Sequence, residues 1–155
     1  IELADAAATE AAGARLARVL CGGMVVTLSG DLGTGKTTLV RGALRALGWT
    51  RAVKSPSFTV VETYEFSSLD FYHFDFYRFA DPAEFSIGFR DLFGPRCICA
   101  IEWPEKAGDR LPAADLAIAL QVEDAGRRAI MTASGELGRA CLESTAKEFD
   151  TTAAA

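Results

Sequence analysis

A glycine-rich segment, GDLGTGKT, lies between an apolar run and an amphipathic run, and it constrains this chain more than any other feature. It spans residues 30–37 and matches the pattern G-x-x-x-x-G-K-[ST]. The apolar run 24–28 before it predicts a buried strand, and residues 36–47 after it predict a helix. This strand–loop–helix context is the one in which the pattern binds phosphate. We therefore expect a nucleotide-binding domain.

Each residue type in this loop has a physical role in holding phosphate. Glycines let the backbone wrap closely with its N–H groups pointing inward, and the helix start adds a partial positive charge. We expect Lys36 to reach the β- and γ-phosphates, and the Thr37 hydroxyl to help hold Mg²⁺. The expected ATP-binding residues are Gly30, Asp31, Leu32, Gly33, Thr34, Gly35, Lys36, Thr37 and Thr38.

Composition narrows the class of protein further. Half of the 155 residues are hydrophobic, which suits one domain with a real core. The net charge of −5 argues against a protein whose main task is binding nucleic acid.

One histidine and a single C-x-C pair make a poor zinc site, so the four cysteines are expected to be buried thiols in a reducing compartment. No apolar stretch is long enough to span a membrane, and no leader is apparent, although a start at Ile1 suggests that a few residues are missing. We predict a cytoplasmic protein with no membrane partner.

The pattern of apolar runs predicts a three-layer α/β domain. Strands are expected at 24–28, 58–66, 69–79, 97–101, 116–122 and 128–132, and helices at 9–20, 36–47, 81–88 and 135–143. The wholly apolar run 97–101 suits a strand buried on both faces of a mostly parallel sheet, whereas 58–66 and 69–79 are expected to pair as an antiparallel hairpin. The prediction is a P-loop NTPase-type domain over residues 1–143, with a mostly parallel central sheet and added antiparallel strands, followed by a flexible tail over 144–155.

Two acidic residues are candidates for chemistry. Glu102 directly follows an apolar strand, which is where a phosphate loop needs an acid for the metal or for the attacking water. Asp75 lies inside an aromatic strand, where a carboxylate is costly unless it is paired or binds a metal; the alternatives are a salt bridge to Arg78 and an exposed edge position. Trp103 is either a core residue or a cover for the site, and His73 is expected to be structural.

A hydroxyl-bearing loop follows the first strand–helix unit. In P-loop switch proteins a loop in this region senses the γ-phosphate and the metal, and Ser57 or Thr59 is a candidate for that role. The alternative is an ordinary Ser-Pro turn.

The chain lacks the Asn-Lys-x-Asp motif of a GTPase, which favours ATP over GTP. Three functions stay open on these residues: an ATPase, a P-loop kinase acting on a small metabolite, and a nucleotide-gated binding module with little hydrolysis.

Four blocks together resemble the TsaE (YjeE) family across residues 16–120: GDLGTGKTTLVRGALRALG, KSPSFTVVETY, YHFDFYRFADPAEF and AIEWPEKAGDRLP. Members are bacterial ATPases required for the threonylcarbamoyladenosine modification of tRNA. The resemblance implies a P-loop α/β fold that binds ATP and Mg²⁺. It also implies that hydrolysis depends on the TsaD–TsaB complex, which transfers threonylcarbamoyl to adenosine 37 of tRNA, so that tRNA is engaged only through that complex. ATP hydrolysis would then reset the synthase between turnovers, with low activity in isolation.

The resemblance also assigns roles to residues. It implies that Lys36 and Thr37 hold phosphate and Mg²⁺, and that Asp75 and Glu102 are the acids needed for hydrolysis, with Glu102 also near the metal. It implies a switch-like loop that contains Ser55, Ser57 and Thr59, and it places Trp103 beside the site. The family usually has Thr where this chain has Ser57, so a hydroxyl is retained.

Overall fold

One mixed sheet of seven strands organises the computed structural model, which describes the backbone of residues 1–153 and the side chains of residues 1–149. The strands are β1 (Glu2–Leu3), β2 (Val25–Ser29), β3 (Val61–Glu65), β4 (Asp70–Asp75), β5 (Cys97–Glu102), β6 (Leu116–Glu123) and β7 (Gly126–Ala133). The helices are α1 (Ala6–Ala17), α2 (Lys36–Ala46), α3 (Ile87–Arg90) and α4 (Gly135–Ala153). The strand order across the sheet is β1-β7-β6-β2-β5-β4-β3.

The central strands β6, β2, β5 and β4 run parallel, and β3, β7 and β1 are added antiparallel at the two sides. This confirms the predicted sheet, including the hairpin between β3 and β4. Parallel strands place their carboxyl ends at the same edge, which is where ligands bind in open α/β sheets. The glycine-rich loop after β2 and the last residues of β4 and β5 therefore meet at one edge.

Each face of the sheet carries its own apolar core. On one face, α1, α2 and α4 pack on residues such as Val26, Phe71 and Ile98. On the other face, Phe74 and Ile101 join an aromatic cluster that is closed by the segment 76–111. The three predicted layers are thus present, although the second outer layer consists of short helical turns and α3.

Several elements of the structure differ from the prediction. The short strand β1, which pairs with β7, was not predicted. The expected helix 81–88 is wrong: Asp81 caps a single 3₁₀ turn, Pro82–Glu84, and the chain becomes extended at Phe85. Burial of the Phe85 ring in the second core explains this break. Strand β4 ends at Asp75, four residues before the predicted end, because the Asp75 carboxylate accepts the Tyr77 N–H in a turn.

Helix α4 is longer than the predicted 135–143, since it continues to Ala153. Its added turns have partners in α1: the Arg15 guanidinium lies 4.9 Å from the Phe149 ring centroid, and Arg18 pairs with Glu148 at 2.9 Å. Flexibility of 144–155 stays a prediction, and residues 154 and 155 lie outside the described part of the chain.

All four cysteines are free thiols. Cys99 and Cys141 are buried, as predicted, and burial raises the pKa of Cys99 to about 12. The prediction is wrong for Cys21, which is exposed, and only partly right for Cys97, which is half-buried. Within residues 1–153, no helix has both the length and the apolar character needed to cross a bilayer.

Candidate functional site

The glycine-rich loop needs its glycines for conformation and for space. Gly30 has φ +136°, and a Cβ there would lie 2.3 Å from the carbonyl oxygen of Leu120. Gly35 has φ +105° and caps α2, which begins at Lys36. Residues that carry a Cβ rarely adopt such positive φ angles, so only glycine lets the loop turn directly into the helix. The backbone N–H groups at the start of α2 consequently face the edge of the sheet.

The Lys36 side chain folds back onto the loop. Its Nζ donates to the carbonyl oxygens of Gly30 at 2.6 Å and Asp31 at 2.8 Å, and it lies 4.4 Å from the Trp103 ring centroid. Burial lowers the pKa of Lys36, whereas the carboxylates of Glu102 and Asp75 act to raise it. The ammonium is therefore held in a confined, acidic environment without a direct ion pair to either carboxylate.

Thr37 and Glu102 are joined across the edge of the sheet. Parallel pairing sets Leu28 of β2 beside Glu102 at the end of β5, and the Thr37 hydroxyl donates to Glu102 Oε1 at 2.8 Å. A hydroxyl and a carboxylate are the hard oxygen ligands that Mg²⁺ prefers, so this pair suits that ion. Among the described side chains, no three His, Cys, Asp or Glu residues are grouped as metal ligands.

Asp75 ends β4 in register with Glu102 on the neighbouring strand. Its carboxylate accepts the Tyr77 N–H at 2.9 Å and, more weakly, the Ser55 hydroxyl at 3.4 Å. Burial raises the pKa of Asp75, the Tyr77 hydrogen bond opposes that shift, and the nearby Glu102 carboxylate adds to it. The alternative of a salt bridge to Arg78 is wrong, because the Arg78 guanidinium lies 4.0 Å from the ring centroid of Phe58 instead.

The hydroxyl-bearing loop is tied to Asp75 through backbone contacts. The Val60 carbonyl accepts the Asp75 N–H at 2.9 Å, and the Val60 N–H donates to the carbonyl of Pro56 at 2.7 Å. Val60 has φ +69°, which is strained for a β-branched residue. This segment is thus fixed at one end beside the cleft.

His73 is buried against Glu102. Its side chain has no exposed surface, and Nε2 lies 2.8 Å from Glu102 Oε1. Nδ1 has no hydrogen-bond partner among the described residues. His73 is thus buried and hydrogen-bonded, as expected of a structural histidine, but one of its ring nitrogens has no partner within the described residues. The signal that was available is the period of two, which sets His73 on the same face of β4 as Asp75.

These elements surround an open cleft of about 350 Å³. The predicted site residues that line it are Leu32, Gly33, Gly35, Lys36, Thr37, Thr38, Ser55, Ser57, Asp75, Glu102 and Trp103. Tyr77, which the sequence analysis did not single out, and the exposed Arg78 also line it. Trp103, at φ +57°, is half-buried and borders the cleft, while part of its surface packs on the second core.

The remaining predicted residues lie outside the lining. Gly30 and Asp31 contribute the carbonyls that hold Lys36, and the buried Thr34 hydroxyl donates to the Asp31 carbonyl at 3.0 Å. Thr59 donates to Glu62 at 3.0 Å. Of the two hydroxyls proposed as sensors, only that of Ser57 therefore reaches the cleft.

The sequence model of a protein family described as "Threonylcarbamoyl adenosine biosynthesis protein TsaE" matches residues 3–130. The chain is also similar to curated proteins named "tRNA threonylcarbamoyladenosine biosynthesis protein TsaE". It is 45% identical to the one from Haemophilus influenzae over 117 residues, which cover 75% of this chain and 74% of that protein. The one from Bacillus subtilis is 40% identical over 114 residues, covering 73% and 72% of the two chains.

A solved structure has the same fold. The crystal structure of Bacillus subtilis YdiB superposes with a TM-score of 0.79 at 31% identity, over 92% of this chain and 90% of that one.

Proposed function

Because this chain belongs to the TsaE family, we propose that it is an ATPase of tRNA threonylcarbamoyladenosine biosynthesis. It binds ATP with Mg²⁺ in the cleft and hydrolyses it to ADP and phosphate. The observation that carries the proposal is the 2.8 Å hydrogen bond between Thr37 and Glu102. This contact brings the last residue of the loop pattern to an acid at the end of a neighbouring parallel strand, as phosphoryl-transfer sites of this class require.

When a triphosphate binds, hydrogen bonds to its oxygens replace hydrogen bonds that the loop makes internally in this structure. The Lys36 ammonium leaves the carbonyls of Gly30 and Asp31 for the phosphate oxygens, and the N–H groups at the start of α2 supply further donors. Burial favours this exchange, since an ammonium in a confined site interacts more strongly with an anionic phosphate oxygen than with a neutral carbonyl.

Thr37 and Glu102 are the residues that would hold Mg²⁺. That ion would neutralise charge on the phosphate oxygens. The Thr37 hydroxyl oxygen would bind it through a lone pair while its O–H still donates to Glu102, and the Glu102 carboxylate, held at the strand end, would accept hydrogen bonds from water. Asp75, in register with Glu102, helps to orient the attacking water in the same region. Ser55 and Ser57 also line the cleft, and they would be the hydroxyls of a loop that senses the γ-phosphate.

Hydrolysis depends on a partner in this proposal. The cleft is open, and Arg78, an exposed cation in its lining, lies over the Phe58 ring, so the isolated chain would bind ATP without being arranged for the transition state. Docking on the TsaD–TsaB complex would complete the arrangement and couple hydrolysis to multiple turnover. The net charge of −5 agrees with contact to tRNA through that complex rather than directly, and with a cytoplasmic location beside it.

The test is a Glu102→Gln variant. Gln keeps the shape and one acceptor oxygen, but it removes the negative charge. We expect ATP affinity to change by less than about threefold and hydrolysis with TsaD–TsaB to fall by about a hundredfold or more. Binding is measured by titration and hydrolysis by phosphate release. Glu105→Gln, the same change at a nearby exposed carboxylate, is the matched control. Normal turnover by Glu102→Gln would contradict the proposal.

A further inference from the structure

We propose that His73 is a positioning residue that holds the Glu102 carboxylate in its working orientation while nucleotide is bound. The inference rests on the proposed function, since it concerns the same carboxylate, and it adds a residue to which neither the sequence motifs nor the family comparison assigns a role. His73 does not reach the cleft; it acts through Glu102.

The direction of the hydrogen bond follows from chemistry. An ionised carboxylate oxygen has no hydrogen to give, so the 2.8 Å contact requires that His73 Nε2 carry the hydrogen and donate it to Glu102 Oε1. In the neutral tautomer, Nδ1 then has a bare lone pair. This agrees with its burial without a partner, because an N–H group in the same place would be a buried donor with nothing to bind.

Both hydrogen bonds to Glu102 converge on the same oxygen. Thr37 at the start of α2 and His73 in β4 each donate to Oε1 at 2.8 Å. With Oε1 held in this way, the second oxygen of Glu102 is the one available to the cleft that the residue lines. The two donors therefore fix which carboxylate oxygen faces the nucleotide.

The two donors differ in what else they do when nucleotide is bound. The Thr37 hydroxyl oxygen is also the group that a phosphate loop commits to the metal, so the position of its O–H depends on the ion. The His73 N–H has no such second task, and it lies on a strand whose register with β5 is fixed by the pairs His73↔Ala100 and Asp75↔Glu102. A packing role does not require this arrangement, since an apolar side chain would fill the space without leaving a buried nitrogen unpaired.

The experiment compares two substitutions of His73 whose amide nitrogens lie at different distances from Cβ. A Gln amide nitrogen is three bonds from Cβ, as is His73 Nε2, so the Gln side chain in His73→Gln can still donate to Glu102. An Asn amide nitrogen is only two bonds from Cβ, so the Asn side chain in His73→Asn cannot reach Glu102. Phe71→Leu is the packing control, because Phe71 is buried on the same face of the same strand, two residues earlier. All three variants are assayed for ATP hydrolysis with the TsaD–TsaB complex. Mg²⁺ titrations of fluorescent ATP-analogue binding by the chain alone, and urea unfolding midpoints, are measured alongside.

We expect His73→Asn to lower kcat by about tenfold or more, and to raise by a similar factor the Mg²⁺ concentration that supports half-maximal binding, with KM for ATP little changed. His73→Gln should recover most of both losses. Phe71→Leu should lower the unfolding midpoint while kcat stays within about threefold of the parent value.

Three results would overturn the inference: normal kcat in His73→Asn, equal loss in His73→Gln and His73→Asn, or equal loss of kcat in Phe71→Leu. Glu102→Gln is assayed in parallel, so that a wrong role for His73 can be told apart from a wrong proposed function. If Glu102→Gln is inactive and His73→Asn is not, the role of His73 alone is refuted. If Glu102→Gln is active, the proposed role of Glu102 fails as well.

Discussion

At the scale of single residues, this cleft concentrates charge that a protein interior ordinarily excludes. Lys36, Asp75 and Glu102 are 4%, 5% and 3% exposed, yet none of them forms a direct ion pair with another of the three within the described structure. Uncompensated burial of ionisable groups costs free energy. Such groups are typical of sites that have been shaped for a charged ligand, and the triphosphate of ATP is the ligand that this set would accept.

Asp75→Asn should stabilise the protein near neutral pH. Because burial raises the pKa of Asp75 above its ordinary value of 3.8, the folded protein binds a proton there more readily than the unfolded chain does. The contribution of this carboxyl group to stability is therefore fully present below pH 3.8 and is lost as the pH rises through the folded pKa. An Asn keeps an acceptor for the Tyr77 N–H and never ionises.

We expect Asp75→Asn to raise the free energy of unfolding at pH 7 by about 1 kcal/mol, and the gain to shrink as the pH falls toward 4. Urea unfolding of both proteins across this pH range measures the effect. Asp109→Asn, at an exposed position, should leave the free energy of unfolding unchanged at every pH. A gain that does not depend on pH, or a loss of stability at pH 7, would show that the burial argument is wrong.

The sequence predicts Lys36, Thr37 and Glu102 well, because each lies next to a local signal, a glycine-rich pattern or an apolar strand. The partnership of His73 with Glu102 has no local signal. It depends on the pairing of β4 with β5, which brings together two residues 29 positions apart in the chain. The hydrogen-bond partner of the Thr59 hydroxyl could not be predicted either, because Ser57 and Thr59 look alike in sequence. Only the folded turn, closed by the hydrogen bond from the Val60 N–H to the Pro56 carbonyl, directs Ser57 to the cleft and Thr59 to Glu62.

At the scale of elements, the contact between α1 and α2 fixes the helix that carries Lys36 and Thr37. A Cβ at Gly42 of α2 would lie 1.9 Å from the carbonyl oxygen of Glu10, and one at Gly13 of α1 would lie 2.0 Å from that of Leu39. The two glycines thus let the helix backbones touch directly. Such close approach leaves no flexible side chain that could move aside.

Gly42→Ala should therefore destabilise the protein by about 2–3 kcal/mol, although alanine favours helices. Gly88→Ala in α3 is the matched control, because a Cβ there meets only the Ser86 hydroxyl oxygen, at 3.6 Å. That variant should be neutral or slightly more stable. Urea unfolding of the two variants measures the difference, and equal stability would mean that the helices can separate without loss.

Prediction of elements succeeded where the apolar period was strong and failed where tertiary contacts decided the outcome. The strand at Cys97–Glu102 is evident from its composition. The two-residue strand β1 exists only because β7 is beside it, and α4 extends past 143 because α1 supplies partners for Phe149 and Glu148. The 3₁₀ turn at Pro82–Glu84 has the capping residues of a longer helix, and the burial of Phe85 ends it.

At the scale of the whole molecule, the sheet brings a phosphate loop, two acids and a hydroxyl-bearing loop to one open edge. The family comparison spans residues 3–130, so it includes every residue proposed to act in the cleft. Helix α4 begins beyond that range and packs against α1 on the face away from the aromatic second core. The proposed dependence on a partner therefore concerns the open edge, where ATP would remain accessible to a docking surface.

The proposed function is tested most directly by ATP hydrolysis, measured for this chain alone and with the TsaD–TsaB complex, with Lys36→Ala as the blank. We expect slow turnover alone, a rise of about tenfold or more with the complex, and no hydrolysis above background in the Lys36→Ala variant. If ATP is bound but its hydrolysis does not rise with the complex, the chain is not a partner-dependent ATPase; it is then a nucleotide-gated binding module or acts on another phosphoryl acceptor.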